Sequence, residues 1–250
     1  MVTIQYAGRL GNNLFQYSAA HIFANKFNLT LNTNPPENNF GLSKLNGLIN
    51  DGKTIIVDDD NFMELLSSDK IDSAHYHFTG YFQLKDFILG YHEEIKKLFN
   101  LKYRDGLIDE VFVIYRIGDI NGERQMLPIE YYEESLNNIK FNHGYISSDT
   151  PDHPNIKKLI SKFNLTLYND TPINTIDFAK NFNKLVLSEG SFSWWIGFLS
   201  NAKKIYFNKR ERFWHGDIFV LPDWDHLSYD WDKSCVGDKN KLNCNKIIKL

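Results

Sequence analysis

Between residues 111 and 208 the chain alternates short apolar runs with longer stretches whose apolar residues recur every three or four positions. VFVIYRI, GYISSD, LTLYN, KLVLSEG and KIYFN are of the first kind; IEYYEESLNNI, NIKKLISKF, TIDFAKNF and SFSWWIGFLS are of the second. Runs of the first kind suit strands buried on both faces, and the second pattern is the stripe of an amphipathic helix. Their strict alternation predicts βαβ units and a parallel, doubly wound sheet. Upstream the pattern is looser. VTIQYAG reads as a strand ending at Gly8, and NLFQYSAAHIFANKF as a helix with Phe15, Ala19, Ile22, Phe23 and Phe27 on one stripe. Residues 28 to 75 are Asn-rich and read as irregular, with NPPENN a turn or loop; FTGYFQ reads as a short strand and YHEEIKKLFN as a helix. The polar KYRDGLIDE marks the boundary between the halves, and the stretch after Leu227 reads as a polar tail.

Composition narrows the partners. The 250 residues are 42% hydrophobic and 24% charged, ordinary for a folded chain of one large or two small domains. A net charge of −3 and no long basic block argue against nucleic acid or an anionic membrane surface as partner. Aromatics at 15% suit either core packing or the stacking of planar and sugar rings. Cys235 and Cys244 fit neither a zinc pattern nor a disulfide framework, which points to a reducing compartment. No apolar run approaches the roughly 20 residues needed to span a bilayer, and no basic-then-apolar leader is visible. A cytoplasmic protein without a transmembrane segment, peripheral to membranes at most, is expected.

In a doubly wound sheet, ligands bind beyond the carboxyl ends of the strands, where loops enter helix N-termini. Those ends here read YRIGD, SSD, YND and SEGS. Ser191 and Ser193 let backbone N–H groups approach phosphate oxygens with the helix dipole adding attraction. The plainer alternative is that Ser191 only caps the helix. Trp194 and Trp195 would anchor that helix from below. Arg116 follows an apolar strand and can grip a diphosphate with its planar fork. Asp119 and Glu123 follow in one loop, where either could act as a general base or be a solvated charge. GRLGNN after the first strand matches neither the dinucleotide fingerprint nor a P-loop, but allows a tight turn and close backbone approach. None of the eight histidines pairs with another at metal-ligand spacing on a helix.

GRLGNNLFQYSAA, FTGYFQLKDF, VIYRIGD, YISSD, LSEGSFSWWIGFLSNAKKIYF and FVLPDWDHL together resemble the α-1,2-fucosyltransferases, in the same order and at nearly the same spacing. The resemblance spans roughly residues 3 to 227. It implies two Rossmann-like α/β domains facing a cleft, the GT-B glycosyltransferase arrangement. An N-terminal acceptor-side domain would occupy residues 1–108, a C-terminal nucleotide-sugar-binding domain 109–228, and a polar tail 229–250. It implies an inverting enzyme that needs no metal or other cofactor and moves fucose from GDP-fucose to a hydroxyl of a glycan acceptor.

Carried residue by residue, Arg116 matches the first arginine of the family's His-x-Arg-Arg-x-Asp motif, and Gly118 and Asp119 its end. Ser191, Phe192 and Ser193 match the segment lining the diphosphate; Gly11 and Asn12 match the loop that closes over the donor. Asp149 and Asp177 match acidic positions of the donor domain, and Tyr81 and Gln83 fall on the acceptor side. Two positions depart from the family: Ile114 stands for its histidine and Ile117 for its second arginine. Those departures leave open a related GDP-sugar transferase with another sugar or linkage, and a catalytically inactive sugar-nucleotide-binding protein.

Overall fold

The computed structural model describes residues 1–33, 47–48, 52–99, 101–117, 127–209 and 220–229. The described residues divide into two compact units, one over Met1–Lys102 and one from Tyr103 onward. Both are α/β with parallel sheets.

In the first unit β1 (Val2–Ile4), β2 (Thr54–Val57) and β3 (His75–Phe78) form a parallel sheet in the order β1-β3-β2. A parallel bridge from Val2 to Leu31 extends it beyond β1. Helix α1 (Leu10–Lys26) follows β1, α2 (Phe62–Ser67) follows β2, and α3 (Lys85–Gly90) and α4 (His92–Leu98) follow β3. The expected single stripe on α1 is too narrow: Leu10, Leu14, Tyr17, Ala20 and Ala24 are buried as well as Phe15, Ala19, Ile22 and Phe23. The helix packs against both β1 and α4, so more than one of its faces lies in the core.

Two expectations fail in this unit. The stretch 28–75 holds β2 and α2, because TIIV is a strand of only four residues inside a polar surround. The strand expected in FTGYFQ stops at Phe78, and the chain then turns through Phe82 at φ +55°. Both oxygens of the Asp59 carboxylate accept backbone N–H bonds, from Tyr81 and Phe82, and these bonds hold the turn. A left-handed phenylalanine is uncommon and needs such bracing.

The second unit runs β4 (Ile108–Tyr115), α5 (Ile129–Asn137), β5 (Gly144–Ser148), α6 (Pro154–Phe163), β6 (Leu165–Leu167), α7 (Pro172–Ala179), β7 (Phe182–Val186), α8 (Ser191–Leu199), β8 (Lys204–Asn208) and β9 (Asp225–Leu227). Its six parallel strands lie in the order β6-β5-β4-β7-β8-β9. Counted from β4, that is 3-2-1-4-5-6, the order of the doubly wound nucleotide-binding sheet. Local chemistry sets the helix ends. Pro154 opens α6 behind a His153 ring nitrogen that accepts from the Asn155 amide, and Asn164 closes it at φ +53°. Thr171 caps α7 in the same way, ahead of Pro172.

On one side of this sheet Val113, Tyr115 and Ile146 pack with Tyr131, Tyr132 and Leu136 of α5 and Ile156 and Leu159 of α6. On the other, Phe178 of α7 contacts Phe112, Tyr145, Tyr168 and Phe182 ring to ring. Burying each such side chain contributes about 1.5–3 kcal/mol. Strand β9, absent from the periodic pattern, is the three residues that follow Trp224, whose ring contacts Trp194 and Phe207. Among the described residues no helix is long and apolar enough to cross a membrane.

Candidate functional site

The strand order reverses between β4 and β7, and the crevice of such a sheet opens there, beyond the carboxyl ends of those two strands. Strand β4 ends at Tyr115 and delivers Arg116; β7 ends at Val186 and delivers Leu187-Ser188-Glu189-Gly190 into α8. The two loops meet. A Cβ placed on Gly190 would lie 2.5 Å from Arg116 Nη1, so the guanidinium lies against the glycine at the mouth of α8.

Gly190, not Ser191, is the N-cap residue of α8, with φ +108° and ψ 155°, a conformation essentially reserved for glycine. The first backbone bond of the helix runs from Trp194 N–H to Gly190 C=O. The amides of Ser191, Phe192 and Ser193 therefore precede the intrahelical ladder and form the positive pole of the helix. Ser191 and Phe192 are half-buried, whereas Ser193 is buried, its hydroxyl 2.9 Å from that of Ser188. The Ser193 side chain thus braces the turn, while its backbone amide stays at the opening of the helix. Trp194 and Trp195 are wholly buried, anchoring the helix as expected.

Asp149, at the end of β5, accepts the Ile117 N–H at 2.9 Å and so fixes the backbone just after Arg116. Asp177 is displaced from this edge. Helix α7 carries the chain back to the amino ends of the strands, where Asn181 C=O receives the Ile108 N–H, and Asp177 pairs there with Lys180. The last turn of a crossover helix lies at the edge opposite the carboxyl ends of the strands, so the structure does not bring Asp177 together with Arg116 and Gly190. Ile114 and Ile117 are both buried, Ile117 within the apolar cluster beside α5. Gly118, Asp119 and Glu123 lie outside the described residues, as do Cys235 and Cys244.

Several groups at this edge gave no periodic signal. Glu189 immediately precedes Gly190, and its Oε1 accepts from Asn208 Nδ2 at 2.6 Å at the end of β8. Asn208 in turn exchanges bonds with the backbone of Tyr229. Beneath the loop, Tyr131 donates to Leu187 C=O, and Tyr132 is buried beside it. Burial, followed for Tyr131 by the Glu189 charge and for Tyr132 by its tyrosine neighbours, pushes both phenols well above their ordinary value. Both stay neutral donors at any physiological pH. The signal for Glu189 was its position one residue before a helix-opening glycine.

In the first unit the corresponding edge, beyond β1 and β3, is filled by side-chain amides. Gln83 Nε2 donates to Asn12 Oδ1 at 3.0 Å, so these two predicted residues do come together. Gln16, fully buried, accepts from the Ala7 N–H and donates to Gly80 C=O, tying the turn after β1 to the turn after β3. Gly11 is buried in the first turn of α1, and Tyr81 contributes its amide to Asp59. Asp59 and Gln16 were not anticipated; Asp59 could have been read from its place just after the apolar TIIV.

Among the described residues no group of three or more His, Cys, Asp or Glu side chains comes together that could hold a metal ion. Compared with protein-family models and with curated proteins, the chain matches none.

Proposed function

We propose that the chain is an inverting, metal-independent glycosyltransferase that moves fucose from GDP-fucose to a hydroxyl of a galactose-type sugar in a glycan, forming an α-1,2 linkage. One observation carries the reading. The Arg116 guanidinium and the positive pole of α8, two groups of like sign, are brought to one point at the strand-order reversal. A compact anion is the complement of that arrangement, and a diphosphate has the charge and the paired oxygens to match a guanidinium fork. The motif order adds the nucleotide and the sugar. In this reading the second unit holds the donor, the first presents the acceptor side with Tyr81 and Gln83, and the whole is of the GT-B type.

The chemistry is a single displacement at the fucose anomeric carbon. The acceptor oxygen bonds to that carbon as the bond to the β-phosphate oxygen breaks, and GDP leaves with the electron pair. Arg116 and the α8 amides act where negative charge grows, which lowers the barrier more than it tightens substrate binding. Asp119 or Glu123 takes the acceptor proton. Calorimetry with GDP and GDP-fucose, with and without EDTA, tests the donor assignment: binding to the intact chain is expected and EDTA should not change it. Absence of binding, or binding only with a divalent ion, overturns it.

A second reading is favoured by the burial of Ile114 and Ile117: a protein that binds the sugar nucleotide without turning it over. An apolar side chain in the core supplies neither an imidazole nor a second charge to the crevice. GDP release with and without a panel of glycan acceptors separates the two readings, since the binding protein would release none.

A further inference from the structure

Among the described residues, the sheet of the first unit has one face that lies outside its buried core. Val2, Tyr76, Phe78 and Val57 point into the core, and alternation sends Thr3, His75, His77, Thr54 and Ile56 the other way. Ile56 is 49% exposed there, Thr54 is exposed, and the two histidines are half-buried. His75 and His77 are two residues apart on one strand, so both rings rise from the same face. His75 Nε2 lies 2.7 Å and His77 Nδ1 2.9 Å from a single atom, the hydroxyl oxygen of Thr3 on the neighbouring strand. Two ring nitrogens thus converge on one point above the sheet.

We propose that His75 and His77 form a binding site for a divalent transition-metal ion that prefers imidazole, on the open face of the first unit's sheet. Imidazole nitrogen bonds such ions at about 2.0–2.1 Å, shorter than its present distances to the hydroxyl, so the rings close in on an ion by small rotations. The Thr3 hydroxyl gives way to the ion, and water completes the sphere. The environment of His75 already resembles that of a ligand. Its other nitrogen, Nδ1, lies 3.5 Å from the Thr54 hydroxyl, an outer contact of the kind that helps to orient a ligating imidazole. Affinity should follow copper(II) above nickel(II) and zinc(II). The site is remote in kind from the proposed transfer chemistry and does not depend on it.

Nickel(II), which does not oxidise thiols, is the probe for the full chain by isothermal titration. One ion per chain is expected, weakened about tenfold or more in His75→Gln and in His77→Gln, because each loses the chelate. Thr3→Val keeps both nitrogens and should bind at least as well. Failure of the wild type to bind, or unchanged binding in the double histidine variant, overturns the site. So does a Thr3→Val loss as large as the histidine losses, which would mark the trio as a hydrogen-bond cluster alone. If a histidine variant does not fold, ring NMR of the wild type decides: substoichiometric nickel(II) should broaden two of the eight histidines first. Broadening of none, or of all alike, refutes the proposal.

Discussion

Replacing Gly190 by alanine should separate the two reasons for a glycine there. The first is backbone strain. At φ +108° and ψ 155° a Cβ costs about 1–3 kcal/mol. In a unit of this size each kcal/mol lowers the melting temperature by about 2–4 °C. The second is displacement. The new methyl would lie 2.5 Å from Arg116 Nη1, and since carbon contacts are comfortable at about 3.5–4.0 Å the guanidinium must retreat by roughly 1 Å. It is the far end of a flexible side chain, so the move itself is cheap in stability. For a group positioned on a transition state, however, an error of about 1 Å costs on the order of 10²-fold in rate. Gly106→Ala is the control. Gly106 also has positive φ, +85°, but a Cβ there meets nothing within 4 Å. Both variants should lose melting temperature; only Gly190→Ala should lose GDP affinity, by about tenfold, and turnover. Equal GDP affinity in the two would refute the reasoning, because it would mean that the Arg116 position does not matter to the nucleotide.

Arg116→Lys should lower the catalytic constant at a cost of roughly 2–4 kcal/mol with little change in melting temperature, since an ammonium lacks the planar fork; an unstable but fully active variant would remove Arg116 from the mechanism. Asp119→Asn, Glu123→Gln and Glu189→Gln should divide the carboxylates: loss of the base should slow turnover about 10²–10⁴-fold at unchanged donor affinity, and full activity in all three would mean that none of them takes the proton. His21 gives a pH test in the first unit. Burial lowers its pKa to about 4, and its Nδ1 has no partner among the described groups. The unfolded chain therefore binds a proton that the folded one refuses. Stability should be full above pH 6.5 and fall by roughly 2–3 kcal/mol by pH 4.5. Urea titrations at pH 7.5 and 4.5 should show the loss in the wild type and a smaller one in His21→Leu; equal losses would place the acid sensitivity elsewhere.

The sequence by itself determined most of the second unit. Continuous apolar runs and helical stripes specify parallel strands and crossover helices, and the pattern delivered Arg116 and the Ser191 segment to strand ends. It also fixed the burial of Trp194 and Trp195, because a helix opening apolar all round has only the core to face. What the sequence lacked was the strand order, since periodicity says nothing of which strand lies beside which. Only the order β6-β5-β4-β7-β8-β9 makes Arg116 a neighbour of Gly190. Short elements escaped for a related reason. TIIV and DHL are too brief to show a period and exist through their partners β3 and β8. Polar side chains such as Gln16, Asp59 and Asn208 look in sequence like any loop residue. Their roles come from backbone groups far along the chain, which the tertiary fold brings within hydrogen-bond reach and which cannot be buried unpaired.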